Sequence, residues 1–287
     1  MSATVALARG GRVAYELVGR RRVWLPWVVL ISGVGHDRSS WEPLLPDLRR
    51  VARVVLVDNH GVGQSAPLRS QVTVGQMADD IIAVLDDARL SRVHVVGVSL
   101  GGMIAQELAI EHPRRVRRLV LASTTPGRPE GYPFPLGNAI ELWRQILRPG
   151  QASRRSAIRY ALSPQTRRGQ PDLVERLTRD EVIPSPDPRS RMLQVAAGSS
   201  YSNRGRHRQI AATTLVMHGT DDHVVDPRNA EVLARNIPRA RLVWVPDAGH
   251  LIFWERPWFC ARELMRFLRP ASPRTVLATL WRRLRNH

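Results

Sequence analysis

The 287-residue sequence contains no lysine: all 43 basic side chains are arginine, against 25 carboxylates, for a formal net charge of +18. It has one cysteine, Cys260, which excludes an internal disulfide framework and a cysteine-built metal site and fits a reducing compartment. No apolar run reaches the roughly 20 residues a membrane-spanning helix needs. The longest, Val23 to Val34, is interrupted by Pro26 and Gly33. Met1 to Arg12 carries no apolar segment behind a positive start, so no secretory signal is expected and the cytoplasm is the expected location. The arginines are spread through every region instead of gathering in one motif, with no RNA-binding or helix-turn-helix signature, so nucleic acid is not an expected partner. Arginine-rich coding bias accounts for the charge. At 43% hydrophobic residues, the chain is also too apolar to be disordered.

What is present is an alternation of short β-branched runs with helical patterns. Val28 to Ser32, Val54 to Asp58, Val93 to Val98, Leu119 to Ala122, Thr214 to His218 and Arg241 to Val245 read as strands. They are nearly continuous apolar runs, the pattern of strands covered on both faces. Between or after them, Val74 to Ala88, Gly101 to Ala109, Asn229 to Ile237 and Trp258 to Leu268 read as helices. Such βαβ alternation implies an α/β fold with a mostly parallel sheet. It lapses between about Pro126 and Arg208, where Asn138 to Leu147 and Leu173 to Leu177 are helical patches and no strand run occurs. The expected organisation is a core over residues 1–125 and 209–270, a helical insertion over 126–208, and a basic tail over 271–287.

The run Val93 to Val98 leads into Gly97-Val98-Ser99-Leu100-Gly101-Gly102, a G-x-S-x-G pattern between a strand and a helix. A sharp turn there exposes Ser99 at the carboxyl edge of the sheet. A serine hydroxyl needs a base to become nucleophilic, and that base needs an orienting acid. Both follow along the chain, acid before histidine: Gly219-Thr220-Asp221-Asp222-His223 after one strand, then Asp247-Ala248-Gly249-His250 after the next. Each lies where open α/β sheets gather their ligands. His94 and His218 fall within strand runs and read as core histidines. No histidine pair has metal-ligand spacing, so no metal is expected. The loops holding Gly33, Gly35, Gly61 and Gly63 match neither G-x-G-x-x-G nor a Gly-Lys-Ser/Thr ending, so no nucleotide cofactor is expected either.

With these residues in place, the chain from about Arg12 to Pro270 resembles α/β-hydrolase-fold enzymes of the esterase, lactonase and cofactor-free haloperoxidase-like group. The likeness rests on Ile31 to Gly35, Asp58 to Ser65, the Ser99 turn, Gly219 to Asp222 and Gly249-His250. The stretch Gly97 to Ala109 is especially similar to the enol-lactone hydrolase branch. The resemblance implies Ser99 as nucleophile, His250 as general base and Asp222 as its orienting acid, with adjacent Asp221 as the alternative. It implies an oxyanion hole from the backbone amides of Val34 and Leu100. The chain departs from the group in having Ser32-Gly33 where His-Gly is usual, with His36 as a nearby candidate to brace that loop. It departs again in having Asn59-His60 where arginine usually precedes the glycine.

The resemblance also implies that the insertion roofs the active site. Its 15 arginines against 7 acids between Pro126 and Ala212 suit either a solvated cap face or an acidic substrate, such as a dicarboxylic lactone, held by arginine forks. Trp143 and Tyr160 are candidate pocket residues. In the tail, Val276, Leu277, Leu280, Trp281 and Leu284 fall at helical spacing among arginines. That pattern suits packing against the same or a second subunit, or weak contact with an anionic membrane surface. The expected activity is cleavage of a small carboxylic ester or lactone through an acyl-enzyme. Perhydrolysis, C–C bond hydrolysis, acyl transfer, or a non-catalytic binding or peripheral-membrane role on the same fold are the alternatives.

Overall fold

A computed structural model describes residues 2–19, 23–135, 137, 150–179 and 187–269. Its centre is an eight-stranded sheet: β1 (Ser2–Ala6), β2 (Arg12–Val18), β3 (Trp27–Ile31), β4 (Arg53–Asp58), β5 (Val93–Val98), β6 (Val116–Ala122), β7 (Thr213–Gly219) and β8 (Ala240–Val245). The spatial order is β1-β2-β4-β3-β5-β6-β7-β8. From β4 to β8 all neighbours run parallel, and only the β1–β2 and β2–β4 pairings are antiparallel. This is the α/β-hydrolase fold.

The central strands read as continuous apolar runs because both of their faces are buried. In β3, Val29 and Ile31 join one core cluster and Val28 and Leu30 the other. In β4 the same split separates Val55 and Val57 from Val54 and Leu56. The first face is covered by α2 (Val74–Asp87), α3 (Leu100–Glu111) and α8 (Arg228–Asn236). The second is covered by α1 (Leu45–Leu48), α9 (Ile252–Glu255) and α10 (Pro257–Leu268). Helix α2 starts where the sequence provides a capping box, with Thr73 and Gln76 each receiving the other's backbone N–H. Helix α3 stops at His112, just before Pro113.

The sequence reading places its first strand at Val28, and the structure adds β1 and β2 before it. These strands form a hairpin at the sheet edge, and β1 buries no residue fully. An edge strand need not be apolar on both faces, so it leaves little trace in hydropathy. Between β6 and β7, the described residues form α4 (Gln151–Ala161), α5 (Pro164–Gly169), α6 (Pro171–Thr178) and α7 (Pro188–Ser199). Among the described residues that stretch holds no strand, only an isolated bridge between Gly127 and Ser202. The expected helical patch Asn138 to Leu147, with Trp143, lies outside the described residues, as does the tail 271–287. No helix among the described residues is long and apolar enough to cross a membrane.

Candidate active site

Ser99 sits between β5 and α3 with φ 55° and ψ −120°, a conformation that non-glycine residues rarely adopt. Crowding around the turn explains the glycines. A Cβ on Gly97 would lie 2.1 Å from the Gly101 carbonyl oxygen, and one on Gly101 would lie 2.0 Å from that of Ile31. The turn is held by the Ser99 amide donating to Ala122 O at 2.9 Å and by Thr124 Oγ1 donating to Ser99 O at 2.7 Å. Backbone strain at this serine is thus maintained by packing on three strands.

After β7, Asp222 is fully buried, and its Oδ2 lies 2.8 Å from His250 Nδ1. Its Oδ1 accepts the amides of Val224 and Val225 at 2.8 and 2.9 Å. Burial alone would raise this carboxyl. The nearby His250 and the hydrogen bonds from His218 and His250 outweigh it, and the group sits below the usual carboxylate range. Asp221 instead takes a hydrogen bond from Thr220 Oγ1 and sends its amide to Ala248 O. Of the two adjacent acids, Asp222 is the one that meets His250. His223 is exposed on the loop, where its carbonyl accepts from Tyr160 Oη at 2.9 Å.

The turn after β3 lies directly against the serine: a Cβ on Gly33 would stand 3.1 Å from Ser99 Cβ. Ser32 braces this turn through its own hydroxyl. Its Oγ accepts from Trp41 Nε1 at 2.8 Å, lies 3.0 Å from Ser40 Oγ and reaches Asp37 O at 3.1 Å. Asn59 Nδ2 adds a bond to Ser32 O at 2.9 Å, tying the β4 loop to the β3 loop. Hence the loop with Ser32 is tied to the loop in which Asn59-His60 departs from the family pattern. The Gly35 amide is already committed to Gln194 Oε1 at 2.8 Å. Val34 N–H is the remaining candidate in this turn. Leu100 N–H opens α3, where a helix leaves its first amides without internal acceptors.

Several contributors were invisible along the chain. His218 is buried, as a core histidine would be, but its Nε2 lies 3.0 Å from Asp222 Oδ2. Glu255 is buried beneath the His250 loop, where its two oxygens accept the amides of Gly249 and Ser163 at 2.8 and 2.9 Å. Gln194 bridges α7 to both site loops through Gly35 and the His60 carbonyl. Ser163 is 92 residues from Glu255, and Gly35 and His60 are 159 and 134 residues from Gln194, while Asp222 is only four residues from His218; no local motif announces any of these contacts. Cys260 is buried, and burial pushes its thiol well above the usual range. Among the described residues, no three histidine, cysteine or acidic side chains come together as a metal site.

A family model described as the alpha/beta hydrolase fold matches residues 26–257, a span that includes Ser99, Asp222 and His250. The chain is 26% identical to a putative carbamate hydrolase, RutD, of Agrobacterium fabrum, covering 90% of this chain and 98% of that protein. It is 28% identical to a poly(3-hydroxyalkanoate) depolymerase of Ectopseudomonas oleovorans over 87% of each. A solved hydrolase of Pseudomonas aeruginosa matches with a TM-score of 0.81 at 27% identity, covering 93% of this chain and 98% of the other. The enol-lactonase of Burkholderia xenovorans shares the fold, with a TM-score of 0.81 at 24% identity and coverage of 93% and 99%. With most of its length matched in sequence and in structure, the chain belongs to the alpha/beta hydrolase fold family.

Proposed function

We propose that the protein is a serine hydrolase that cleaves a small carboxylic ester or lactone through an acyl-enzyme, without a cofactor. The observation that carries this reading is the strained Ser99 turn at the end of the same sheet whose later strands supply the bonded His250–Asp222 pair. Strain at a serine of this kind persists only where packing enforces it.

In this reading Ser99 Oγ attacks the substrate carbonyl carbon while His250 Nε2 takes the hydroxyl proton. Asp222, against Nδ1, holds the proton on that nitrogen and stabilises the imidazolium as it forms. The amides of Val34 and Leu100 receive the negative charge that develops on the carbonyl oxygen; such donors are each worth about 2.7–4 kcal/mol in the barrier. The alcohol leaves with the proton from His250. Water, activated by the same histidine, then releases the acid and restores Ser99. The helices α4 to α7 of the insertion act as the roof of this site. Relatives named for carbamate cleavage and for depolymerising a polyester support acyl substitution at a carbonyl as the shared chemistry.

The test is covalent labelling with a fluorophosphonate probe on wild type, Ser99→Ala, His250→Ala and Asp222→Asn. Labelling of the wild type that is abolished by Ser99→Ala and strongly slowed by the other two is the expected result. A folded wild type that takes no label overturns the reading and favours a non-catalytic binding role for the fold.

A further inference from the structure

Helix α7 meets the site loops along one face, at every fourth residue. Ser190 Oγ accepts the Leu68 amide at 2.9 Å. Gln194 is fully buried; its Oε1 accepts the Gly35 amide and its Nε2 donates to the His60 carbonyl, both at 2.8 Å. A methyl group at Gly198 would stand 3.5 Å from Leu100 Cδ1. Residues four apart share a helix face, so one side of α7 rests on the loops after β3 and β4 and on the start of α3.

Of these three contacts, the one from Gln194 reaches the turn that packs on Ser99. In that turn His36 N donates to Gly33 O at 3.3 Å, and Gly35 holds φ 72° in the third position. This is a type II turn, in which the Val34–Gly35 peptide aims its N–H to one side. Glycine in that position equally allows the type I form, where the same peptide is turned over and its carbonyl takes the place of the N–H. An acceptor on the N–H side selects the first form. A carboxamide can supply that acceptor while donating its own N–H to a second carbonyl. The second bond of Gln194 runs to the loop that Asn59 Nδ2 ties back to Ser32 O at 2.9 Å. The hydrogen bonds thus close a ring from Gly35 through Gln194 and His60–Asn59 to Ser32, at the foot of the same turn.

We infer that Gln194 is a positioning residue for the reaction: by holding the Gly35 peptide, it keeps the turn in the form whose neighbouring Val34 amide receives the oxyanion. The inference rests on the hydrolase reading above. Gln194 acts through the peptide next to the donor, so it counts where charge builds on the carbonyl oxygen and not in ground-state binding.

The experiment follows hydrolysis of 4-nitrophenyl butyrate by wild type, Gln194→Met, Gln194→Glu and Ser190→Ala. Methionine keeps the length of the side chain and removes both bonds. It should lower kcat by about tenfold to a hundredfold, short of the loss on deleting an oxyanion donor itself, and leave KM within about twofold. Acylation and deacylation both pass through an oxyanion, so kcat falls whichever step limits it. Ser190→Ala loosens α7 at Leu68 but spares the Gly35 bond; it should lower thermal stability and keep kcat within about twofold of wild type. An equal fall in kcat for Ser190→Ala would assign the effect to helix docking and overturn the inference.

Glutamate at this position accepts the Gly35 N–H when ionised but donates to His60 O only when protonated, a form that burial favours. Its kcat relative to wild type should rise as pH falls from 8 to 6, while the methionine ratio stays flat. His36 and His60, held at about 4 by burial and then by positive neighbours, do not titrate in that window. If the methionine variant does not fold, the glutamate ratio decides, and a flat one overturns the inference.

Hydrogen–deuterium exchange at the Gly35 amide needs no turnover. Its protection in wild type should be lost in Gln194→Met. Protection that depends on Gln194 in a protein that hydrolyses no ester and takes no fluorophosphonate would overturn the hydrolase reading and the catalytic assignment together. An active wild type whose Gln194→Met variant keeps its kcat would overturn the inference alone and leave the hydrolase reading standing.

Discussion

One oxygen of Asp222 is shared by two imidazoles: Oδ2 lies 2.8 Å from His250 Nδ1 and 3.0 Å from His218 Nε2. His218 Nε2 also lies 3.2 Å from the Val225 carbonyl oxygen. Between two acceptors, that nitrogen carries the proton. Its Nδ1 is left bare, buried and without a hydrogen-bond partner. With the Val224 and Val225 amides on Oδ1, the carboxylate is bonded on every side before His250 is counted. Such saturation fixes the direction in which Asp222 points and keeps it ionised.

Replacing His218 with leucine should therefore cost about 1.5–3 kcal/mol of stability at neutral pH, the range for a hydrogen bond to a charged group. Because the fold depresses the Asp222 carboxyl, the stability it contributes is present above its unfolded value of about 3.9 and is lost as pH falls through the lower folded value. Urea midpoints of wild type and His218→Leu should thus differ at pH 7 and converge in strong acid. The acid limb of the variant's activity profile should shift upward in pH. Partial recovery by His218→Gln, which restores a donor, would separate hydrogen bonding from packing. Equal midpoints at pH 7 would rule this role out.

Strain at Ser99 makes a second prediction. Glycine tolerates φ 55° without penalty, whereas alanine does not. Both Ser99→Gly and Ser99→Ala should be inactive. Of the two, the glycine variant should be the more stable, by about 1–3 kcal/mol, the cost of a residue held in such a region. A calorimetric scan of the pair decides it, and equal stabilities would mean that the turn stores no strain.

Glu255 joins the loop before His250 to Ser163, two residues past the end of α4, by accepting from Gly249 and Ser163. A glutamine there has one acceptor oxygen for two amide donors. Glu255→Gln should lower stability by about 1–3 kcal/mol, the penalty for leaving a buried donor unmet. It should also slow fluorophosphonate labelling, since the His250 loop loses its anchor. Unchanged labelling and unfolding would show that the bridge is replaceable.

Away from the site, Asp80 is buried against Arg9, and burial outweighs the arginine's charge to push its carboxyl up to about 7. A raised carboxyl favours folding while it stays protonated, so its contribution is present below about 3.9 and is lost as pH rises towards 7. His60, in contact with Arg9, is held near 4 by burial and that charge, and works in the opposite sense: its contribution is lost as pH falls from about 6.5 towards 4. Asp80→Asn should remove the first component alone. Relative to wild type, the variant should grow more stable between pH 5 and pH 8, which urea titrations at those two values measure. A parallel pH dependence in both proteins would contradict this.

The central strands were legible in the sequence because two-sided burial leaves a simple mark: β3, β4, β5 and β7 begin and end within a residue or so of their apolar runs. The edge hairpin β1–β2 was not, since an edge strand faces solvent and its pattern blends with a turn. Around the candidate site, Ser99 and His250 could be picked out because a sharp strand-to-helix turn demands small residues at fixed offsets. The preference for Asp222 over Asp221 rested on the family resemblance, because two adjacent acids share the same composition and strand-end position. The path of the β7–β8 loops sends one to Thr220 and the other to His250.

By itself, then, the sequence determined the α/β alternation, the order serine–acid–histidine and the glycine-enforced turn, all set by contacts close along the chain or by strand-length hydropathy. Only the tertiary structure decided what meets what across long separations: Asp222 on His250, Asn59 on the Ser32 carbonyl, Glu255 on Ser163, and Gln194 on Gly35 and His60. Those relationships depend on desolvation and on hydrogen bonds between separate loops. Composition counts the charges but carries no information on where folding strips them of water.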